Sequence, residues 1–292
     1  MKTFTPQDIT NYYDHTEPHY RQWWKMEESM GLHYGVWDDE IKSLSEAILN
    51  TNRQLAKLGD ILPSDQVLDA GCGVGGSSIF LAKHFGCQVT GITLSKRQVK
   101  TATLFSQKNK VHEKVRFQQM DYTATHFPDH HFDVVWAIES MQTATDKGLF
   151  FKEMSRVLKP GGKLFIADVF KQGRWEVSES PTMQAMLHGW AMSDLLSLAD
   201  LSAFGKQHNF ALALERDATK AVARSVKRYY WFALLGMVGT KWYNLFHRGT
   251  HFGKVHYKTG LAQHRAWKAG LWSYHLLLMK KSHPPDTSKV SL

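Results

Sequence analysis

Val67-Leu68-Asp69-Ala70-Gly71-Cys72-Gly73-Val74-Gly75-Gly76 is a short apolar run that passes straight into a glycine-dense turn. Glycines at 71, 73 and 75 let a backbone approach a ligand with no Cβ in the way, and they tolerate positive φ. The stretch after the turn predicts a helix from about Ser77 to Phe85. Strand, glycine turn and helix in that order make the ligand-cradling corner of α/β nucleotide folds.

The spacing from Gly71 is G-x-G-x-G-G, whereas dinucleotide enzymes read G-x-G-x-x-G and seat a pyrophosphate on the helix N-terminus. Asp69 precedes the turn, and a carboxylate there repels a pyrophosphate and suits a cationic ligand. Cys87 to Leu94 reads as a second, β-branched strand. Ser95-Lys96-Arg97-Gln98 after it has the spacing of a capping box. A NAD enzyme would end this strand in Asp or Glu to hold the ribose hydroxyls; here it ends in Thr93, with Gln98 one turn on. The string D-x-G-C-G-x-G-G resembles motif I of class I S-adenosylmethionine-dependent methyltransferases. The phrase V-T-G-I-T-L-S-x-x-Q resembles the branch of that family that includes γ-tocopherol, sterol C- and cyclopropane-fatty-acid enzymes. In that branch the ribose is held by a Thr and a Gln, which map onto Thr93 and Gln98. Helix capping alone is the other reading of Gln98, and both roles can hold at once.

Further units follow in the same order. Val115 to Met120 reads as a third strand ending at Asp121, and Phe132 to Ile138 as a fourth ending at Glu139-Ser140. Asp146 to Leu158 reads as loop and helix. Lys159-Pro160-Gly161-Gly162 then turns into a fifth strand, Lys163 to Val169, and this L-K-P-G-G turn is a further hallmark of the resembling family. Five alternating units predict an α/β, doubly wound, mostly parallel sheet with its ligand at the carboxyl ends of the strands. The resemblance makes it seven-stranded and Rossmann-like. It implies S-adenosyl-L-methionine as cofactor, held by Tyr13, His33, Asp69, Gly71, Gly73, Thr93, Leu94, Gln98, Asp121, Tyr122 and Ile138. In that assignment Asp121 binds the adenine amine, Tyr122 flanks the ring and Asp69 orients the amino-acid end through the glycine turn.

The flanks are read less directly. Tyr12-Tyr13-Asp14 and Leu32 to Trp37 are aromatic-rich. In the resembling enzymes an N-terminal helix with a Y-D pair and an aromatic H-x-G-x-[YW] stretch closes the site; Tyr13 and His33 to Gly35 match. Simple core packing is the alternative for each aromatic. Ile41 to Leu58 has helical apolar spacing and reads as a packing helix. Gly173 to Pro181 reads as a polar connection, Asp194 to His208 as a helix, Phe210 to Glu215 as a sixth strand, and Gly270 to Met279 as a final strand. The family pattern makes that last strand antiparallel. Between the last two lies Arg216 to Ala269, dense in aromatics and in Lys and Arg. It reads as a helical lid over an apolar pocket; a packing layer with a solvated basic face is the alternative. The expected organisation is a helical cap at 1–60, a cofactor-binding core at 61–215, a lid insert at 216–269, a last strand at 270–281 and a disordered tail at 282–292.

The chain has 292 residues and a net charge of +9. Lys and Arg run through it without an arginine-rich tract or recognition motif, which disfavours nucleic acid as a partner. A basic, aromatic insert also fits an anionic membrane surface or a diphosphate head group. The two cysteines form no metal-ligand pattern and suit a reducing cytoplasm. Met1 to Asp8 lacks the apolar run of a secretory leader, and no stretch reaches the ~20 apolar residues of a membrane span. The expected location is cytoplasmic, with peripheral contact to a membrane left open.

These readings converge on methyl transfer to a lipophilic, isoprenoid-like acceptor of prenyl, sterol or tocopherol type. An RNA methyltransferase and a non-catalytic cofactor-binding protein are the alternatives. Methylation of an alkene would require a base, and Glu139 is the carboxylate nearest the expected methyl position, with His33 and Tyr13 as other candidates; binding the cofactor is the alternative role for Glu139. Tocopherol- and sterol-type enzymes have E-x-x-[EC]-H after the fourth strand; here Glu139-Ser140-Met141-Gln142-Thr143 lacks the histidine.

Overall fold

The fold is described on a computed structural model covering residues 3–23, 25–246 and 251–283; side chains of residues 15–23, 238–246 and 251–256 lie outside the description. The core alternates β1 (Gln66–Ala70), α4 (Gly76–Phe85), β2 (Gln88–Thr93), α5 (Lys96–Lys108), β3 (Val115–Gln119), β4 (Phe132–Ile138), α6 (Lys147–Val157) and β5 (Leu158–Lys171). Three helices precede it: α1 (Pro6–Trp23), α2 (Met26–Ser29) and α3 (Leu44–Ala56). After it come α7 (Pro181–Gly189), α8 (Leu198–Gln207), β6 (Phe210–Asp217), α9 (Ala223–Phe246), α10 (His251–Lys268) and β7 (Trp272–Lys281).

The seven strands lie in the order β3-β2-β1-β4-β5-β7-β6. The pairs from β3 to β5 are parallel, and β7 runs antiparallel to both β5 and β6. The chain reverses its winding between β1 and β4, and a crevice opens at such a switch point outside the carboxyl ends of the strands.

Side-chain alternation along the central strands builds two cores. Val134, Trp136, Phe165, Ala167 and Leu276 face one side, with α3, α4, α7 and the start of α9. Val135, Ala137, Leu164, Ile166 and Leu277 face the other, against Phe150, Phe151 and Met154 of α6. Burial on both faces explains why β1, β4 and β5 read as continuous apolar runs.

Element existence follows the sequence more closely than element bounds. The helix expected at Ile41–Leu58 is shorter because Ser43 caps it reciprocally with Glu46. The helix expected from Asp194 starts only at Leu198, where Ser197 and Asp200 form another capping box. The fifth strand is longer than expected: it pairs from Leu158, with a register shift opposite Phe132 and Val134 and Gly161 at φ +75°. Helix α7 was not anticipated, because Pro181 reads as a loop residue. Pro181 instead occupies the first turn, where a missing N–H costs nothing, and Ser180 accepts from Met183 N. The lid aromatics Trp242, Tyr243, Phe246 and Phe252, and the tail at 284–292, fall outside the described side chains or residues.

α7 docks closely on α10. A Cβ at Gly189 would stand 1.7 Å from Thr259 Oγ1 and 2.7 Å from its Cβ. Gly189→Ala therefore forces the two helices apart. It should cost about 1–3 kcal/mol, read as a lower denaturant midpoint with an unchanged slope.

Candidate functional site

The crevice at the switch point holds about 810 Å³ of empty space, counting its mouth, within the range of small-molecule pockets. Its floor is the glycine turn. Gly71, Gly73 and Gly75 all have positive φ, at 91°, 52° and 89°. A Cβ at Gly76 would lie 2.1 Å from Met30 O, and one at Gly75 2.7 Å from the Phe117 ring. Gly73 differs: its Cβ would meet nothing nearer than Leu32 Cδ1 at 3.8 Å, and the residue lines the cavity. The turn is thus clamped from behind and open in front.

Polar groups of the core enter from successive strand ends. Asp69, 2% exposed, accepts from Ser78 Oγ at 2.6 Å, which ties β1 to α4 beneath the turn. Burial pushes its carboxyl up to about 7 against that hydrogen bond. Thr93 Oγ1 donates to Gln98 Oε1 at 2.5 Å, and both residues line the cavity. Ser95 caps α5 by accepting from Gln98 N, so the expected capping box is only half formed and the Gln98 side chain turns to Thr93 instead. Leu94, Tyr122 and Ile138 also line the cavity. Tyr122 is buried, with its hydroxyl donating to Ser140 O at 2.8 Å.

Helix α1 closes one side. Tyr13 lines the cavity, and Asp14 next to it accepts from Ser95 Oγ at 2.5 Å. That bond fastens α1 to the N-terminus of α5. His33 also lines the cavity; its Nδ1 meets Tyr34 O at 2.9 Å, and burial pulls its pKa down to about 4. The ring is therefore neutral at ordinary pH, with the proton on Nδ1.

Glu139 follows β4 directly and takes a left-handed backbone, φ 47°, which costs strain for a residue with a side chain. Its Oε1 accepts from Tyr34 N at 2.7 Å and from Tyr274 Oη at 2.9 Å. Burial, then the nearby Asp168 charge, raises its carboxyl to about 8 against those two bonds. Glu139 as a whole residue is half-buried and lines the cavity. Tyr34 in turn donates from Oη to Gln263 Oε1 at 2.7 Å, and its ring stacks on Trp272 and meets Tyr229, Trp190 and Tyr274 edge-on.

The cavity thus gathers all but one of the site residues named from the sequence. Asp121 is the exception. It stands two residues past β3, is not among the lining residues, and its Oδ1 accepts from the N–H and hydroxyl of Thr123 at 2.8 and 2.7 Å. Sequence reasoning passed over Ser78 and Tyr274. Ser78 is legible in principle, as a first-turn hydroxyl behind a glycine turn. Tyr274 is not, because 135 residues separate it from Glu139 and only the antiparallel insertion of β7 joins them.

The raised carboxyls set a pH dependence. A carboxyl whose folded pKa exceeds its unfolded one is protonated in the native state first, so its stabilising contribution is full below about 4.5 and is lost as pH rises through the folded value. For Glu139 that window runs from about 4.5 to about 8. The melting temperature of the ligand-free protein should fall across this window, and Glu139→Gln should flatten the fall, as followed by calorimetry at pH steps.

Residues 68–166 match the family model described as a methyltransferase domain. The 2-methyl-6-phytyl-1,4-hydroquinone methyltransferase of Synechocystis sp. is 40% identical over 166 residues, 54% of this chain and 51% of that protein. The chain spans about half to three-fifths of the length of the curated relatives it matches, at 51%, 59% and 59%. Among solved structures, the [4+2]-cyclase SpnF superposes with a TM-score of 0.79 at 21% identity, covering 97% of this chain and 98% of that one. Geranyl diphosphate C-methyltransferase from Streptomyces coelicolor A3(2) gives 0.73 at 19%, over 94% and 97%. At such identities the likeness shows the fold, a Rossmann-like α/β sheet. A glycine turn open only at Gly73, and the Thr93–Gln98 pair beside it, sit within the segment, residues 68–166, that is similar to a methyltransferase domain.

Proposed function

We propose that this chain binds S-adenosylmethionine in the switch-point cavity and methylates a lipophilic, isoprenoid-like acceptor. The observation that carries the reading is the meeting of the open Gly73 backbone and the Glu139 side chain in the lining of one cavity, with Tyr13 of α1 beside them. The residues fit the cofactor: a side chain at Gly73 would project into the space, and the Gln98 amide nitrogen makes no hydrogen bond among the described residues. Gln98 and Thr93 would hold the ribose hydroxyls, Asp69 would orient the amino-acid end, and Tyr122 would flank the base. Asp121 would reach the base amine through Oδ2, which Thr123 leaves unbonded.

When bound, the cofactor supplies an electrophilic methyl on a sulfonium. Methyl transfer from it is an in-line displacement, so the protein chiefly supplies orientation and a dry site. Glu139 is better suited than His33 to take a proton from a methylated alkene. A base with a pKa near 4 holds a proton poorly, whereas one near 8 sits close to the working range. A cation beside Glu139 would draw its pKa back toward neutrality and ionise it. The proton would go to Oε2, since Oε1 is engaged by Tyr34 N and Tyr274 Oη. Tyr13 remains a candidate for contact with the reacting group. The aromatic faces of Tyr34, Tyr229, Trp190, Trp272 and Tyr274 lie behind Glu139, and such faces steady cationic character. The phytyl hydroquinone relative and the geranyl diphosphate fold neighbour support an isoprenoid-like acceptor.

Calorimetric titration should show micromolar binding of S-adenosylhomocysteine and none of NAD, and Gly73→Arg should abolish it; binding by that variant would remove the site. With prenyl diphosphates, sterols and prenylated phenols as acceptors, Glu139→Gln should lower turnover about 10²–10⁴-fold, the usual contribution of a general base. Cofactor affinity in the same variant should stay within about tenfold.

A further inference from the structure

The charge of this chain is not evenly distributed. Residues 218–285 contain twelve Lys and Arg and no Asp or Glu; the remaining residues carry 24 Lys and Arg against 27 Asp and Glu. The whole net charge of +9 therefore comes from the segment that holds α9, α10 and β7.

The described part of α9 sorts this charge onto one face. Arg224, Lys227, Arg228, Trp231 and Leu235 are all exposed and follow one another at three- and four-residue steps, so they form a single stripe. Ser225, Val226 and Ala233 on the other side are buried. Trp231 is 63% and Leu235 62% exposed, the two most exposed large apolar side chains among the described residues. Isolated exposed apolar residues are ordinary, but these two sit one turn apart, directly beyond three cations. Arg224 lies over the Trp37 ring at 4.1 Å and Arg228 over Phe232 at 5.1 Å, which holds both guanidiniums along the helix surface.

α10 adds further exposed cations. Tyr230 of α9 stacks on His264 of α10 at 4.3 Å, which sets the helices side by side, and Lys258, Arg265 and Lys268 are exposed on α10. Among the described residues, no carboxylate pairs with any of these six cations.

We propose that the outer face of α9 and α10 is a docking surface for an anionic lipid bilayer, with Trp231 and Leu235 entering the headgroup layer and the surrounding lysines and arginines meeting lipid phosphates. Charge complementarity selects the occupant. Basic residues around a Trp and a Leu on one helix face are the pattern of a helix lying in the interface plane. No described helix is long and apolar enough to cross a membrane, so the contact is peripheral. The proposal stands on this surface and not on the acceptor reading; if that reading holds as well, docking brings the cavity to the phase where a lipophilic acceptor is dissolved.

The test is sedimentation of the full chain with phosphatidylcholine vesicles, with and without roughly one-third phosphatidylglycerol. Expected are binding to the anionic vesicles only, weakening as salt is raised, and a fall of about tenfold or more in partitioning for Trp231→Ser with Leu235→Ser and for Lys258→Gln with Arg265→Gln. S-adenosylhomocysteine titration of the same variants reports the cofactor site separately: unchanged affinity shows that the fold survives and leaves the vesicle result decisive. Leu104→Ser, which removes an exposed apolar residue of α5, is the control for nonspecific apolar adsorption. Equal binding to neutral vesicles, no loss in the α9 variants, or tighter retention on a single-stranded RNA than on anionic vesicles would each overturn the proposal.

Discussion

Everything at the candidate site depends on the confinement of one backbone turn. Between Ala70 and Gly76 the chain must leave β1, reverse with three positive φ angles and enter α4. The rear of the turn has no room for side chains: Met30 O lies behind Gly76, Phe117 behind Gly75 and Ser140 behind Gly71. Each contact comes from a different element, so the turn is held by the α2–α3 region, by β3 and by the end of β4 together. Only Gly73 faces free space. A ligand cradle requires this asymmetry, because backbone N–H groups can be presented only where the peptide is rigid on one side and bare on the other.

The same confinement explains what could be read from the chain. The turn, its strand and its helix are local, and the glycines announce them by type and spacing. Thr93 and Gln98 are five residues apart, so their hydrogen bond is a short-range consequence of a strand end running into a capped helix. The parallel core could be read because β1, β4 and β5 are buried on both faces and so appear as unbroken apolar runs. Bounds were poorer, since capping hydroxyls such as Ser43 and Ser197 decide where helices start and apolar periodicity does not. Pro181 misled the reading of α7 because proline marks both a loop and a first helical turn. Tyr274 was invisible for a different reason: its partner Glu139 is fixed only by the tertiary placement of β7 between β5 and β6. Composition taken as a total also concealed the distribution of charge, which emerged when acids and bases were counted along the chain.

Fold and reaction are separable here. The chain superposes on a solved protein named a [4+2]-cyclase as well as on one named a methyltransferase, so the sheet order says little about what happens at the cavity mouth. The later elements supply a cluster of their own: Tyr274 from β7, Gln263 from α10, Trp190 after α7 and Tyr229 from α9 all group about Tyr34. A glycine corner that is local in sequence is thus joined, through the Tyr34–Glu139 contact, to a cluster assembled from distant segments. The second part can diverge while the first stays recognisable.

Three buried carboxyls sit near the carboxyl ends of the central strands: Asp69, Glu139 and Asp168, with pKa values raised to about 7, 8 and 7. Burial is the leading cause in each, and each is partly offset by hydrogen bonds, from Ser78 to Asp69, from Tyr34 and Tyr274 to Glu139, and from the backbone of Gln142 and Val169 to Asp168. Burial outweighs the hydrogen bonds at each, and a positive charge in the cavity shifts the nearest of these groups toward its ionised form. A neutral ligand of the same shape gains no such attraction. A cation in the cavity therefore favours the ionised forms of Asp69 and Glu139, the two of these carboxyls that line it. A permanently ionised carboxylate would be harder to bury in an empty site, and an apolar substitute would bind cation and neutral ligand alike.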